Sequence, residues 1–479
     1  MWLNLPYLIF ITLIPLLNFV YQSKSKREFK SVIIKFFIPY YFVQSAFLFT
    51  IYKIIPMSKI FSIPIAIIAT IALTLWLFVI MLIPLWFYPY IKRNTPFDLL
   101  KFSLLFIVGE WLAEIVPILP FSWSGLWLGL ISKTKLIQSA SLLGCHFVSL
   151  IILILSSCLT LMLCELKSKK AYGYALIFIC LFTINFAFGE THIEKIQKQI
   201  SNVDNTKIMI AQDNIEGQEK DKLSSDNAAK SYISIMNENW QDNIDFVLLP
   251  ETAIPCDYDC NKKAFKKLTD FAKSHHTTLI TGCFFNENSK TYNAMFSVTE
   301  KGFCQEPYLK QVLVPFGEKK PFSQDSLASA EPTKNQSLLC ENNCKIANII
   351  CIESIYPSLT RKQILNNGEI LCVSTNDSWF GKSYAKYAHF RHTIMRAVES
   401  GKYTLRSGNC GISSVITPYG EPIYTITQAK KDVIVTDIKA IEGKNPYTYF
   451  GDIIIIPGCV MILIIIFKML KRKYIKNQA

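Results

Sequence analysis

The sequence predicts an α/β protein in two parts: a multi-span helical membrane bundle, then a domain of alternating strands and helices. Three observations predict it. The 479-residue chain is 51% hydrophobic with a positive mean hydropathy, and the excess lies in residues 1–190 and again in 453–467. Residues 191–450 instead carry mixed charge and short strand-like runs. Clusters of Lys and Arg flank alternate apolar blocks. The expected domains are therefore 1–190 (bundle), 191–450 (a soluble α/β domain) and 451–479 (a last spanning helix and a basic tail).

A spanning helix needs about 20 mostly apolar residues. Seven stretches qualify, near 3–20, 33–55, 61–88, 98–117, 136–164, 171–189 and 452–470. The first lacks a basic leader and a small-residue cleavage site, so it reads as a retained span. Positive charge marks the cytoplasmic side of a span. Lys24, Lys26, Arg27 and Lys30 follow the first span, and Lys92 and Arg93 the third. Lys167, Lys169 and Lys170 follow the fifth, and Lys468, Lys471, Arg472 and Lys473 the seventh. One topology puts all four clusters in the cytoplasm and puts residues 191–450 outside. The net charge of +14 thus reads as a topology signal. It does not read as a nucleic-acid footprint, because the cations hug span ends instead of one face of the soluble part. Trp86-Phe87-Tyr88, Trp123 and Trp127 suit interfacial anchoring. Glu110 and Glu114 fall within the fourth span, where acids face the bundle interior. Phe121–Leu130 reads as a re-entrant or surface segment.

In the second part, Lys207–Ala211, Asp245–Pro250, Thr278–Phe284, Asn293–Val298, Ile346–Cys351, Ile370–Ser374, Ser413–Thr417 and Asp432–Ile438 read as strands. Ser225–Asp242, Asn261–His275 and Ala385–Glu399 carry apolar residues at helical spacing. Such alternation argues for a layered α/β fold. Ser323–Ser337 reads as a mobile loop.

Ligands of α/β sheets gather at the carboxyl ends of strands. Glu251 and Cys351 sit at such ends, and Lys310 lies shortly after another strand. A carboxylate, an ammonium and a thiol make a complete acyl-transfer set. Glu251 takes the thiol proton, Cys351 attacks a carbonyl, and Lys310 with the N–H of Ile352 holds the oxyanion. Glu318 and Glu353 are candidates to orient the lysine or the leaving group. Each residue alone has a plainer reading: Glu251 as a helix cap, Lys310 as a solvated cation, Cys351 as a buried strand thiol. Their joint occurrence beside Pro250 and Pro315-Phe316-Gly317 favours chemistry.

Leu249-Pro250-Glu251-Thr252-Ala253-Ile254-Pro255, Lys310 with Leu313-Val314-Pro315-Phe316-Gly317-Glu318, and Ile350-Cys351-Ile352-Glu353 resemble three motifs of the bacterial apolipoprotein N-acyltransferase family. Asn376-Asp377-Ser378-Trp379-Phe380-Gly381, Thr291-Tyr292-Asn293, Gly109-Glu110-Trp111 and the series His389, Arg396, Glu399, Arg406, Ser407, Asn409 and Gly411 extend the likeness. The resemblance implies an extracytoplasmic αββα nitrilase-like sandwich on the membrane bundle. It implies a Glu251-Lys310-Cys351 triad supported by Glu318, Glu353, Asn293 and Trp379. It implies ping-pong transfer of a fatty acyl group from a phospholipid, through a Cys351 thioester, to the α-amine of a diacylglyceryl-modified lipoprotein. No cofactor or metal is implied, and the expected location is the inner membrane with the catalytic domain periplasmic. The sequence departs from the family's pattern in showing seven spans instead of eight, Leu249 in place of Trp, and Ile352 in place of an aromatic.

A membrane-tethered amidase using the same triad with water as acceptor is the alternative. An inactive scaffold is disfavoured by the intact triad. A transporter is disfavoured by the few acids near the spans, Glu110, Glu114, Glu165 and Glu190. Of 14 cysteines, Cys145, Cys158, Cys164 and Cys180 fall in spans as apolar fillers. Cys256, Cys260, Cys283, Cys304, Cys340 and Cys344 leave disulfides, free thiols and a metal site open, with connectivity unreadable.

Overall fold

The structure is a computed structural model. It describes all residues except 1–4, 54–57, 117–118, 221, 256–261, 288–289, 304–305, 315–317, 319–338, 342–343, 382, 428–429 and 479. The chain forms two compact units, Met1–Ile193 with Phe450–Ala479, and Glu194–Tyr449.

The first unit is helical. Among the described residues, five helices are long and apolar enough to cross a membrane: Lys26–Phe49, Lys59–Tyr90, Cys145–Cys164, Lys170–Ile200 and Ile453–Ile475. The other two expected spans are helices of a different kind. Residues near the N-terminus form two short pieces, Leu8–Thr12 and Ile14–Gln22, with Pro15 at the start of the second. Proline suits a first helical turn but interrupts a helix interior. The Phe97–Ile115 helix is 19 residues long but carries Asp98, Lys101, Glu110 and Glu114.

Three of those charged groups are internal. Asp98 is fully buried and accepts from the Arg93 and Thr95 amides and from Lys101. Glu110 and Glu114 are buried either side of His146 on the next long helix, at 3.7 and 3.8 Å. Glu110 also accepts from the Leu126 amide at 2.7 Å, which anchors the irregular stretch before the Leu126–Gly129 turn. That stretch packs inside the unit: Trp123 and Trp127 are buried, and Trp123 lies against Phe47 and Phe121. Tyr88 is likewise buried, stacked on Phe29. The expectation of an outward aromatic belt is therefore corrected for these three rings. Trp86 alone of the expected anchors is exposed, with Lys30 over its face.

Among the described residues the second unit has thirteen strands: β1 (Asn205–Gln212), β2 (Phe246–Leu248), β3 (Thr278–Glu287), β4 (Lys290–Thr299), β5 (Gly302–Phe303), β6 (Tyr308–Leu309), β7 (Leu339–Glu341), β8 (Cys344–Ile350), β9 (Ile370–Asn376), β10 (Thr404–Asn409), β11 (Ser413–Ile416), β12 (Pro422–Ile426) and β13 (Asp432–Lys439). They form two sheets, ordered β13-β1-β2-β3-β4-β5 with β6 beside β4, and β12-β11-β10-β9-β8-β7. The centre of each sheet is parallel: β1-β2-β3 in one, β8-β9-β10 in the other.

Alternation along the strands builds the layers, since successive side chains point to opposite faces. Ile208, Ile210, Phe246 and Leu248 of the first sheet join Ile346, Ile350, Ile370, Cys372 and Leu405 of the second in one buried core. Met209, Ala211, Val247 and Leu249 face the other way, into Tyr232, Ile235 and Met236 of the Ser225–Glu238 helix and Phe265, Leu268 and Phe271 of the Lys262–His275 helix. The Pro357–Leu365 and Ala385–Ser400 helices pack on the second sheet. The result is the expected αββα sandwich. The helix Pro357–Leu365 and the strands β5, β6, β7 and β12 were not expected. The loop expected over Ser323–Ser337 lies outside the described residues.

Leu248 is fully buried in the central strand of the first sheet. Leu248→Ala is expected to destabilise the unit by about 2–5 kcal/mol. The exposed Ile423→Ala is expected to change stability by less than about 0.5 kcal/mol. Unfolding midpoints of the two variants, compared with wild type, check this.

Candidate active site

Three strand ends converge on one buried cluster. Glu251 lies three residues past β2, Lys310 directly follows β6, and Cys351 directly follows β8. The short strand β6 accounts for the placement of Lys310. It pairs with β4, and the Lys310 amide donates to the Asn293 carbonyl at 2.8 Å. Glu251 is held from several sides. Oε1 accepts from Lys310 Nζ at 2.7 Å and from Asn293 Nδ2 at 2.7 Å, and Oε2 accepts from the Asn376 amide at 2.8 Å. Lys310 Nζ also donates to Glu318 Oε1 at 2.7 Å, so the ammonium is clamped between two carboxylates.

The backbone at the site is constrained. Cys351 has φ +52° and Thr252 has φ +46°, both in the left-handed region that non-glycine residues rarely adopt. Gly282 is required beside the Glu251 turn: an added Cβ would lie 2.4 Å from the Thr252 amide nitrogen. Strained conformations of this kind persist where the surroundings over-determine them, and they cluster at functional sites.

The electrostatics set the resting protons. Burial opposes the charge on Lys310, but Glu251 and Glu318 outweigh it and hold the ammonium well above its usual value. Burial likewise opposes the Glu251 charge, and the Lys310 ammonium with the hydrogen bonds from Lys310 and Asn293 outweighs it, so the carboxyl lies below its usual value. Cys351 goes the other way. Burial pushes the thiol up, the Glu251 charge adds to the rise, and Lys310 opposes it. The resting state is a thiol beside a charged glutamate–lysine pair.

Residues 202–442 match the carbon-nitrogen hydrolase family model, and residues 2–158 match that of the apolipoprotein N-acyltransferase N-terminal domain. The chain belongs to the apolipoprotein N-acyltransferase family. The apolipoprotein N-acyltransferase of Wigglesworthia glossinidia brevipalpis is 28% identical over 358 residues, which is 71% of this chain and 69% of that protein. That of Methylococcus capsulatus is 27% identical over 402 residues, 80% and 76% of the two chains. That of Pseudomonas paraeruginosa is 32% identical over 227 residues, 44% of this chain and 43% of the relative.

In this member of the apolipoprotein N-acyltransferase family, the expected supporting residues take different places. Asn293 and Glu318 touch Glu251 and Lys310 directly. Glu353 is fully buried and ties two segments together. It accepts from the Ile350 amide and the Tyr308 hydroxyl, both at 2.8 Å, and from the amides of Gln311 and Val312. It therefore joins the residue before Cys351 to the residues after Lys310. Trp379 is not part of this cluster; it stands 46% exposed on the turn after β9.

Sequence reasoning missed a second buried network. His389 reaches the Cys351 carbonyl through Nε2 at 3.0 Å and Asp377 through Nδ1 at 2.9 Å. Arg406 donates to Asp377 Oδ2 at 2.9 Å, and Thr375 donates to Asp377 Oδ1 at 2.8 Å. Cys351, Asp377 and His389 also cluster closely enough to suggest a metal. Both Asp377 oxygens and both His389 nitrogens already meet protein groups, so the donors fit a bracing network under the nucleophile better than a cation. His389 and Arg406 were visible in the sequence only as parts of a motif. Lys220 gave no signal at all, since it lies in a charged run. It is nevertheless buried, donating to the Glu251 carbonyl and to Thr252 Oγ1 at 2.7 Å. Cys256, Cys260 and Cys304 lie outside the described residues. Cys340 and Cys344 fall on adjacent strands, opposite Lys345 and Glu341 respectively.

Burial pushes Glu353 from 4.5 to about 7, against the opposing pull of the Ile350 and Gln311 amides. The folded form therefore holds this proton more tightly than the unfolded form. Its stabilising contribution is full below about pH 4.5 and is lost as pH rises through about 7, worth about 3 kcal/mol. Glu353→Gln is expected to remove this slope from the pH dependence of thermal unfolding between those limits. An unchanged slope in the variant contradicts the assignment.

Proposed function

We propose that the protein transfers a fatty acyl group from a phospholipid to the α-amine of the diacylglyceryl cysteine at the N-terminus of a lipoprotein, through a thioester on Cys351. The observation that carries this reading is Lys310 Nζ held at 2.7 Å from both Glu251 and Glu318, with its charge acting on the Cys351 thiol. The family membership and the five apolar helices support a multi-pass bacterial inner-membrane enzyme acting on lipid and lipoprotein substrates. Residues 191–450 are taken as its catalytic domain. The positive charges beside alternate spans support a periplasmic face for that domain.

The steps follow from the resting protons. The ester carbonyl enters beside Lys310. Cys351 Sγ attacks the carbonyl carbon while Glu251 takes the thiol proton. The oxyanion that forms is held by Lys310 Nζ and the Ile352 N–H. As the ammonium turns toward this new anion it loosens its grip on Glu251, which becomes a stronger base when it must accept the proton. Collapse expels the lysophospholipid oxygen, which takes the proton from Glu251 and leaves a thioester. The lipoprotein amine then attacks the thioester carbon and gives its proton to Glu251. The thiolate departs and is reprotonated.

Incubation with phospholipid carrying a labelled acyl chain, without acceptor, is expected to label wild type in a hydroxylamine-sensitive bond. Cys351→Ala is expected to show no label and no transfer while remaining in the membrane. Cys351→Ser is expected to lose most activity. Label on another cysteine contradicts the assignment. Release of free fatty acid with no transfer to the lipoprotein amine selects the amidase reading instead.

A further inference from the structure

The first unit contains a groove, separate from the proposed chemistry, whose lining changes character along its length. One face of the C-terminal helix Ile456–Gln478 forms a wall of it. Met461, Ile464, Ile465, Lys468 and Arg472 recur at spacings of three and four residues, so they share that face. The face is apolar for its first turns and cationic for its last two. The opposite wall comes from Ile91 and Arg93, after the Lys59–Tyr90 helix, and from Lys101 on Phe97–Ile115. The groove encloses about 280 Å³.

The helices that form the groove are in close contact above it. An added Cβ on Gly458 would lie 2.5 Å from Val108 and 2.7 Å from the Leu104 carbonyl. Small residues at such crossings let backbones approach closely. The groove lies beyond this crossing toward the basic end of the helix.

The charge is unbalanced. Lys101 is neutralised by buried Asp98 at 2.8 Å. Arg93, Lys468 and Arg472 have no ion-pair partner among the described residues. Three uncompensated cations therefore meet at one end of a slot whose other end is isoleucine and methionine. An amphiphile with an anionic head and a hydrocarbon tail fits that gradient, whereas a free anion uses only half of it. Basic pockets between membrane helices are suited to anionic headgroups.

We propose that this groove binds one anionic phospholipid. Its phosphate lies among Arg93, Lys468 and Arg472, and its acyl chain runs along Met461, Ile464 and Ile465. This lipid is a bound ligand of the bundle and not the acyl donor.

The test uses the full-length protein in detergent, given equimolar phosphatidylglycerol and phosphatidylcholine, with retained lipid read by native mass spectrometry. Wild type is expected to retain phosphatidylglycerol at least ten-fold in preference. The Arg93→Gln/Lys468→Gln/Arg472→Gln variant is expected to lose that preference, at about five-fold per cation. The charge-matched Lys167→Gln/Lys169→Gln/Lys170→Gln variant, altered at exposed cations elsewhere in the bundle, is expected to keep it. If the triple groove variant does not fold, Arg472→Gln and Arg93→Gln alone are each expected to reduce the preference about five-fold. Acyl-transfer activity should be unchanged in all of them. No preference in wild type, an equal loss in the control variant, or a full preference in the groove variants overturns the proposal. Displacement of phosphatidylglycerol by millimolar inorganic phosphate also overturns it, because the site would then hold only an anion.

Discussion

The buried ion pair between Glu251 and Lys310 is the interaction on which the catalytic unit depends. It joins the end of β2 to the end of β6, and Asn376 brings the end of β9 to the same carboxylate. Two charges taken out of water are tolerated only when they are paired and their remaining hydrogen bonds are made. Here they are: Asn293, Asn376 and Glu318 complete the shell. Removing the lysine alone would strand the buried Glu251 carboxylate and leave half-buried Glu318 without its partner, so loss of Lys310 harms the fold as well as the chemistry. Substitutions at this position therefore need a folding control before they are read as catalytic.

The same pair explains why the resting site is quiet. A carboxylate held low and a thiol held high do not exchange a proton readily. Only a substrate that develops negative charge beside Lys310 changes that balance, so proton transfer is tied to carbonyl attack. Such differential stabilisation is what accelerates a reaction. The surroundings keep the geometry ready. Glu353 ties Ile350 to Gln311 and Val312, and His389 holds the Cys351 carbonyl at its left-handed turn. One bracket sets the distance between nucleophile and lysine, and the other sets the direction of the nucleophile.

Much of this was legible in the sequence because it is local. The short apolar runs Lys207–Ala211 and Asp245–Pro250 located strands, and the residues just beyond the strands carried the candidate chemistry. Glu318 and Asn293 could be singled out because they lie in short motifs with Lys310 or near it. The remainder is set by distant packing. β6 has two residues and no periodicity, yet it positions Lys310. Lys220 looks like any lysine in a polar run until Thr252 and the Glu251 carbonyl reach it. In the membrane unit, hydropathy located the helices but not their facing. Trp123 and Tyr88 turn inward against aromatic partners, Trp127 is buried beside Ser149, and Phe97–Ile115 tolerates four charged residues because Asp98, Glu110 and Glu114 are buried against polar groups.

The most direct test of the coupled pair is the reactivity of Cys351 itself in the absence of substrate. The rate of carbamidomethylation by iodoacetamide, measured at Cys351 as a function of pH, reports the thiolate fraction. The resting wild type should react only in strongly alkaline solution, with its inflection above that of an ordinary thiol. Glu251→Gln should move the inflection to lower pH by removing the charge that raises it. A wild-type Cys351 that alkylates fully near neutral pH, or one whose inflection ignores Glu251, would contradict the account.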